Sequence, residues 1–258
     1  MPRRRGEKHT GMKVKMMTLP NAVTLANLLC GTLGIVSMVS LPSGRALEVS
    51  FVLMIAAAVF DFLDGFVARL TRQYSEVGRQ LDSLADMVSF GVLPTLVAMK
   101  VYYLLGGYGA WGAVMLILAA CAALRLAKFN VSDDQTTEFE GLPTPACALL
   151  VGSVGWTLSR MLPVAVAGYA QWTVLAAVVV LALLMVSRIR MFSLKFEGFG
   201  FGRNAVRYVF LIVALVMVLI FGMTGIGTAI LLYILYSILI WLFRCLLYRS
   251  HAAHGGDR

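Results

Sequence analysis

Long apolar runs alternate with short polar, basic connections along the chain. Residues 1–18 are polar and basic. From Leu19 onward eight apolar runs follow, at about 19–41, 47–70, 80–105, 108–128, 143–161, 168–187, 206–223 and 226–248. Each is near the ~20 residues that a helix needs to cross ~30 Å of hydrocarbon. The pattern predicts an all-α integral membrane protein with about eight transmembrane helices. The first run is too long for a signal-peptide core, and no A-x-A site follows it, so it reads as a retained helix. The last two runs are separated by Met223-Thr224-Gly225, which predicts a tight turn. No Pro- or Ser-rich linker and no repeat of 20–50 residues divides the chain.

Composition strengthens this reading. Of 258 residues, 60% are apolar and 14% charged, against about 45–50% and 25% in a soluble domain. Mean hydropathy is +0.84. These values exclude a disordered chain, a disulfide scaffold and a nucleic-acid-binding domain, and leave enzyme, transporter and channel open. The net charge of +9 is then a topology signal and a contact with anionic lipid. With the N-terminus placed inside, 19 of the 22 Lys and Arg residues fall on the inner side. Arg45 and Arg160 fall outside, and Lys100 sits near the outer end of the third run, where it can snorkel. This bias predicts an N-in, C-in topology. Residues 1–18 then form a basic cytoplasmic segment, 191–205 an interfacial loop and 249–258 a cytoplasmic tail. The stretch SRIRMFSLKFEGFGFGR, residues 187–203, interleaves aromatic and basic residues. It suits a segment lying at the cytoplasmic interface, and equally an ordinary basic loop.

Histidine and cysteine usage removes several chemistries. His9, His251 and His254 all lie in the polar tails, so a zinc site, a Ser-His-Asp triad and a phosphohistidine mechanism are not expected. Cys30, Cys121, Cys147 and Cys245 form no CxxC pair and lie in apolar stretches, where cysteine behaves as a small hydrophobe.

Four aspartates stand where a membrane helix should have none: Asp61, Asp64, Asp82 and Asp86. Each costs about 2.5–3.5 kcal/mol near a helix centre. Asp61 and Asp64 are spaced i, i+3 and share a face of the second helix. Asp82 and Asp86 are spaced i, i+4 and share a face of the third. The two helices are antiparallel neighbours across a short cytoplasmic connection, so the carboxylates can converge just inside the inner boundary. Four such groups cannot stay ionised together in low dielectric without a cation. Hard oxygen ligands in that number suit Mg²⁺, Mn²⁺ or Ca²⁺, with room for two ions, a device for phosphoryl chemistry. Gly65 and Gly78 beside them admit either a ligand or a close helix. Arg69 can grip a phosphate or anchor the helix at the interface. Asp133, Asp134, Glu138 and Glu140 read as a solvated face, with a second metal site as the alternative.

The residues from Asp61 to Asp86 fit D-x2-D-G-x2-A-R-x8-G-x3-D-x3-D without departure, eight fixed residues over 26 positions. This resembles the CDP-alcohol phosphatidyltransferase family. The resemblance implies a membrane-embedded homodimer with a six-helix catalytic core, here residues 19–190. The two helices of 206–248 are then an addition. Softer stretches resemble the bacterial branch that uses serine as acceptor: Leu19–Asn27 with Cys30-Gly31, Ser89–Pro94, Arg125–Asn130, Phe139–Ala146 and Met185–Arg188. Phospholipase-D-like serine transferases use histidine and are excluded by the histidine positions.

The resemblance implies that Asp61, Asp64 and Asp82 hold divalent metal, Mg²⁺ or Mn²⁺, in two ions. It makes Asp86 a general base that also touches metal. A phosphatidyl group would pass from CDP-diacylglycerol to L-serine, releasing CMP. Gly65, Arg69, Ser75 and Gly78 map to positions that contact the cytidine and diphosphate, and Asn21 and Thr24 would complete that pocket. Arg125, Lys128 and Arg188, with Asn130 as a polar neighbour, are candidates for the serine carboxylate or positive-inside anchors. The expected location is the bacterial inner membrane, with the site facing the cytoplasm. Glycerol 3-phosphate or inositol phosphate as acceptor, and a divalent-cation transporter, are the competing readings.

Overall fold

The computed structural model describes residues 17–131, 140–162, 168–189, 191 and 201–254, without the side chains of 201–207 and 247–254. The basic segment up to residue 16, the acids Asp133, Asp134 and Glu138, most of the 187–203 stretch and the last four residues lie outside the described residues.

Regular structure among the described residues is helical. Helix α1 is Leu19–Ser40, α2 Ser43–Thr71 and α3 Glu76–Asp86. A π-helical turn, Met87–Val92, leads into α4, Leu93–Leu104. A 3₁₀ segment, Gly109–Met115, opens α5, Leu116–Val131. Then come α6 Thr144–Met161, α7 Ala170–Val186, α8 Phe201–Phe221 and α9 Met223–His254. Every apolar run of the sequence holds a helix. Five helical stretches are long and apolar enough to cross a membrane: Leu19–Ser40, Ser43–Thr71, Glu76–Leu104, Gly109–Val131 and Met223–Leu246. Ala170–Val186 and Tyr208–Phe221 are shorter apolar helices. Helix α6 carries more polar residues and buries half of its length, including Thr144, Ser153, Gly152 and Gly155.

Local signals explain the ends. Thr18 caps α1 by accepting from the Asn21 N–H, and Pro20 sits in the first turn, where no donor is needed. Helix α2 closes on Arg72 in the left-handed conformation (φ 53°). Ser75 then opens α3 by accepting from the Gly78 N–H at 2.9 Å. The turn between α8 and α9 falls on Gly222 (φ 58°), one residue before the expected Met223-Thr224-Gly225. Glycine alone takes that φ without cost, so Met223 is free to begin α9.

Small residues set the packing. Helices α1 and α2 are tied by Ser37 and Ser50, whose hydroxyls lie 2.9 Å apart. A side chain at Gly152 would meet Phe51 of α2, and one at Gly227 would meet Ser153 of α6. Thr157 of α6 and Thr224 of α9 share a hydroxyl bond of 3.1 Å. The C-terminal α9 is thereby seated on the core, and its Ile234 and Ser237 are buried.

The two ends of the bundle differ. One end carries Tyr108, Trp111 and Trp172 in edge-to-face contact, as at a membrane interface. Nearby, Arg160 pairs with Glu48 at 3.1 Å and stacks over Trp156. Lys100 does not snorkel free: its Nζ donates to the Met38 carbonyl at 2.8 Å, capping the last turn of α1. The other end gathers the start of α1, the end of α2, the start of α3 and the ends of α5 and α7. All four membrane aspartates are there.

Candidate active site

Helix α2 is 29 residues long, about 43 Å at 1.5 Å per residue. Asp61 and Asp64 sit roughly 10–15 Å along the axis before its end. Helix α3 returns beside it and presents Asp82. Carboxylate oxygens of Asp61, Asp64 and Asp82 all lie within 4.8 Å of one another. Asp64 is buried, and Asp82 Oδ1 is buried with no hydrogen-bond partner among the described residues. Three carboxylates with an orphaned buried oxygen repel one another strongly, and a divalent cation is the ligand that fits them. Asp86 is buried as well but stands outside that group of three.

Helix α1 supplies the neutral partners. Thr24 Oγ1 donates to Asp64 Oδ2 at 2.6 Å. Asn27 Nδ2 donates to Asp86 Oδ1 at 3.1 Å. The hydroxyl of Ser89, on the π-helical turn just after Asp86, donates to the Asn27 carbonyl at 3.1 Å. That turn depends on a close approach, since a Cβ on Gly31 would lie 2.9 Å from Ser89 Cα. In the π register the Leu93 N–H bonds back to Val88, and Pro94, which has no N–H, follows where a register change leaves a bond unmade.

The two glycines of the motif separate. A Cβ on Gly65 would have nothing within 4 Å, whereas one on Gly78 would lie 2.9 Å from Asn21 Oδ1 and 3.0 Å from Ser75 Oγ. Gly65 therefore leaves open space beside Asp64, while Gly78 lets α3 pack on α1. Asn21 is buried at that contact. Ser75 serves as the helix cap. Arg69 is exposed on α2, four residues past Gly65.

The expected acceptor residues divide too. Arg125 reaches inward from α5, its Nε buried and without a partner among the described residues. It lies in electrostatic range of Asp86, of Cys147 on α6 and of Tyr233 on α9. Asn130 is bonded to Ser83 of α3 at 2.9 Å. Lys128 forms a solvent-facing pair with Glu140 at 2.7 Å. Arg188 is exposed just beyond α7. Sequence reasoning assigned no role to Asn27 or Tyr233. Asn27 stood in a noted stretch, but only the rotation of α1 against α3 reveals its target.

Comparison with known proteins points to one family. The family model described as CDP-alcohol phosphatidyltransferase matches residues 17–186, which hold α1 to α7 and every aspartate of the site. A Helicobacter pylori protein named CDP-diacylglycerol–serine O-phosphatidyltransferase is 35% identical over 195 residues, 74% of this chain and 78% of its own. Proteins of the same name from Bacillus subtilis and Methanocaldococcus jannaschii are 36% and 38% identical. They cover 57% and 53% of this chain and 80% and 60% of their own. A membrane bundle with three converging aspartates inside the matched span, and a fourth beside them, belongs to the CDP-alcohol phosphatidyltransferase family.

Proposed function

We propose that the protein transfers the phosphatidyl group of CDP-diacylglycerol to the hydroxyl of L-serine, giving phosphatidylserine and CMP. The observation that carries this reading is the convergence of Asp61, Asp64 and Asp82 with Asp86 set apart beside them. The names of the relatives support serine as the acceptor.

Asp61, Asp64 and Asp82 would hold the divalent metal, Mg²⁺ or Mn²⁺ as two ions, with Asp86 at its edge. When bound, the metal neutralises the diphosphate and stabilises charge on the departing CMP. The open space at Gly65 admits the diphosphate against α2, and Arg69 at the inner end of α2 contributes a phosphate-binding fork. Asn21, Thr24, Ser75 and Gly78 shape the neighbouring wall for the cytidine. Asp86 accepts the proton of the serine hydroxyl as its oxygen attacks the lipid-linked phosphorus. The new P–O bond forms as the P–O bond to CMP breaks. A positioned base is worth about 10²–10⁴-fold. Arg125, with an unused buried donor, is the residue best placed to receive the serine carboxylate. Lys128, Asn130 and Arg188 are engaged elsewhere or lie at the surface, and complete the polar mouth.

Residues 19–190 form the catalytic unit in this reading, and 206–248 buttress it. The site faces the cytoplasm, with both termini inside, in the inner membrane of a bacterium, and the working form is a homodimer. The test is an acceptor panel with purified protein, CDP-diacylglycerol and Mn²⁺ or Mg²⁺. Labelled serine should enter phosphatidylserine, while glycerol 3-phosphate, inositol and inositol phosphate should give no product. Product from one of those alcohols alone would overturn the serine assignment and keep the chemistry. Metal flux into proteoliposomes with no CMP release from any alcohol would overturn both in favour of a transporter.

A further inference from the structure

We propose that Asn27 is a positioning residue for the reaction: it holds one oxygen of Asp86 and leaves the other to meet the acceptor hydroxyl. The inference rests on the reading of Asp86 as the proton-accepting group.

Asn27 is fully buried and is tied twice to the segment it faces. Its side-chain Nδ2 donates to Asp86 Oδ1 at 3.1 Å. Its backbone carbonyl accepts from the Ser89 hydroxyl at 3.1 Å. These contacts join α1 to the end of α3 and to the π-helical turn, and the first of them holds the Asp86 side chain. A carboxylate with two free oxygens could swing toward the neighbouring carboxylates and the ions they hold. With Oδ1 engaged by an amide N–H, only Oδ2 remains for the acceptor. Asp86 lies beside the group formed by Asp61, Asp64 and Asp82 and is not one of the three whose oxygens lie within 4.8 Å of one another.

The cost of this arrangement is visible. Asn27 Oδ1 is buried without a partner among the described residues, and an unsatisfied amide oxygen destabilises a fold. An apolar residue of similar volume would remove that defect but leave Asp86 Oδ1 without its amide donor. The amide at position 27 therefore leaves one of its own atoms unsatisfied in order to donate to Asp86, which points to that bond. The Ser89 contact uses the backbone carbonyl and does not require asparagine.

The experiment measures steady-state CMP release by Asn27→Leu and Asn27→Ser, using whichever alcohol the unsubstituted protein accepts. Thermal unfolding in detergent is measured in parallel. The expected result is a kcat lower by about 10- to 100-fold, the worth of a hydrogen bond to a charged group. KM for CDP-diacylglycerol and for the alcohol should stay within about threefold, while Asn27→Leu should melt somewhat lower because buried Asp86 Oδ1 loses its donor. Asn27→Ser keeps a small polar residue of a kind α1 already holds at Ser37, so it decides the matter if the leucine variant fails to fold. A kcat within about threefold of the unsubstituted protein would overturn the proposal and leave the functional reading intact. So would a loss of activity that appears as raised KM values with kcat retained. An unsubstituted protein that releases no CMP with any alcohol would instead overturn the functional reading beneath it.

Discussion

Carboxylates persist in membrane helices only where other groups of the fold compensate them. Asp64 has the Thr24 hydroxyl and Asp86 the Asn27 amide, but Asp82 Oδ1 has no partner among the described residues. Removing the Asp82 charge should therefore help the apoprotein and damage the holoprotein. Asp82→Asn is expected to unfold in EDTA at the same or a higher temperature than the unsubstituted protein, because a buried repulsion is gone. Mn²⁺ should raise the melting temperature of the unsubstituted protein by mass action and leave the variant unmoved. Activity should fall by more than the ~10–100-fold typical of losing a group behind a metal ligand. Equal stabilisation of both proteins by Mn²⁺ would remove Asp82 from the metal site. The spacing of the four acids made this cluster legible in the sequence, since i, i+3 and i, i+4 pairs must share helix faces. The partner of Asp86 was not legible, because it is a side chain 59 positions earlier.

At the scale of elements, the apolar runs located the helices because hydrocarbon demands unbroken apolar length. They did not reveal how each helix is rotated. Helix α1 is apolar on most sides, so nothing in its pattern marks Thr24 and Asn27 as the face turned to α2 and α3. The π-helical turn was hidden for a related reason: its residues, Met87–Val92, are ordinary for a helix, and the extra residue per turn comes from packing. Gly31 is where that packing can be tested. A methyl there would press on Ser89 Cα, which is backbone and cannot swing away. Gly31→Ala should destabilise by about 1–3 kcal/mol, as overpacking does, and should also lower kcat by displacing Ser89, Asn27 and Asp86 together. Thermal unfolding and CMP release measured on one preparation check both effects. Unchanged stability would mean that α1 and the turn are not as closely seated as described. The Gly222 turn shows a smaller shift of the same kind, since the sequence marked the region and the backbone chose the residue with a positive φ.

For the whole molecule, basic residues predict which end faces the cytoplasm, and the aspartates share that end. The account requires the connection between α2 and α3 to be cytoplasmic and the aromatic cluster to lie on the far side. In a Cys245→Ser background, which removes the exposed cysteine, Gln73→Cys should react with an impermeant thiol reagent only after cells are opened. Ala110→Cys should react in intact cells. The reverse pattern would invert the topology. The most direct test of the central claim is the coupled appearance of two products. Purified protein with CDP-diacylglycerol, L-serine and Mn²⁺ should form CMP and phosphatidylserine in equal amounts. Both should stop on adding EDTA and return with excess Mn²⁺, and both should be lost in Asp86→Asn. CMP formed without serine, or phosphatidylserine formed undiminished by Asp86→Asn, would contradict the account.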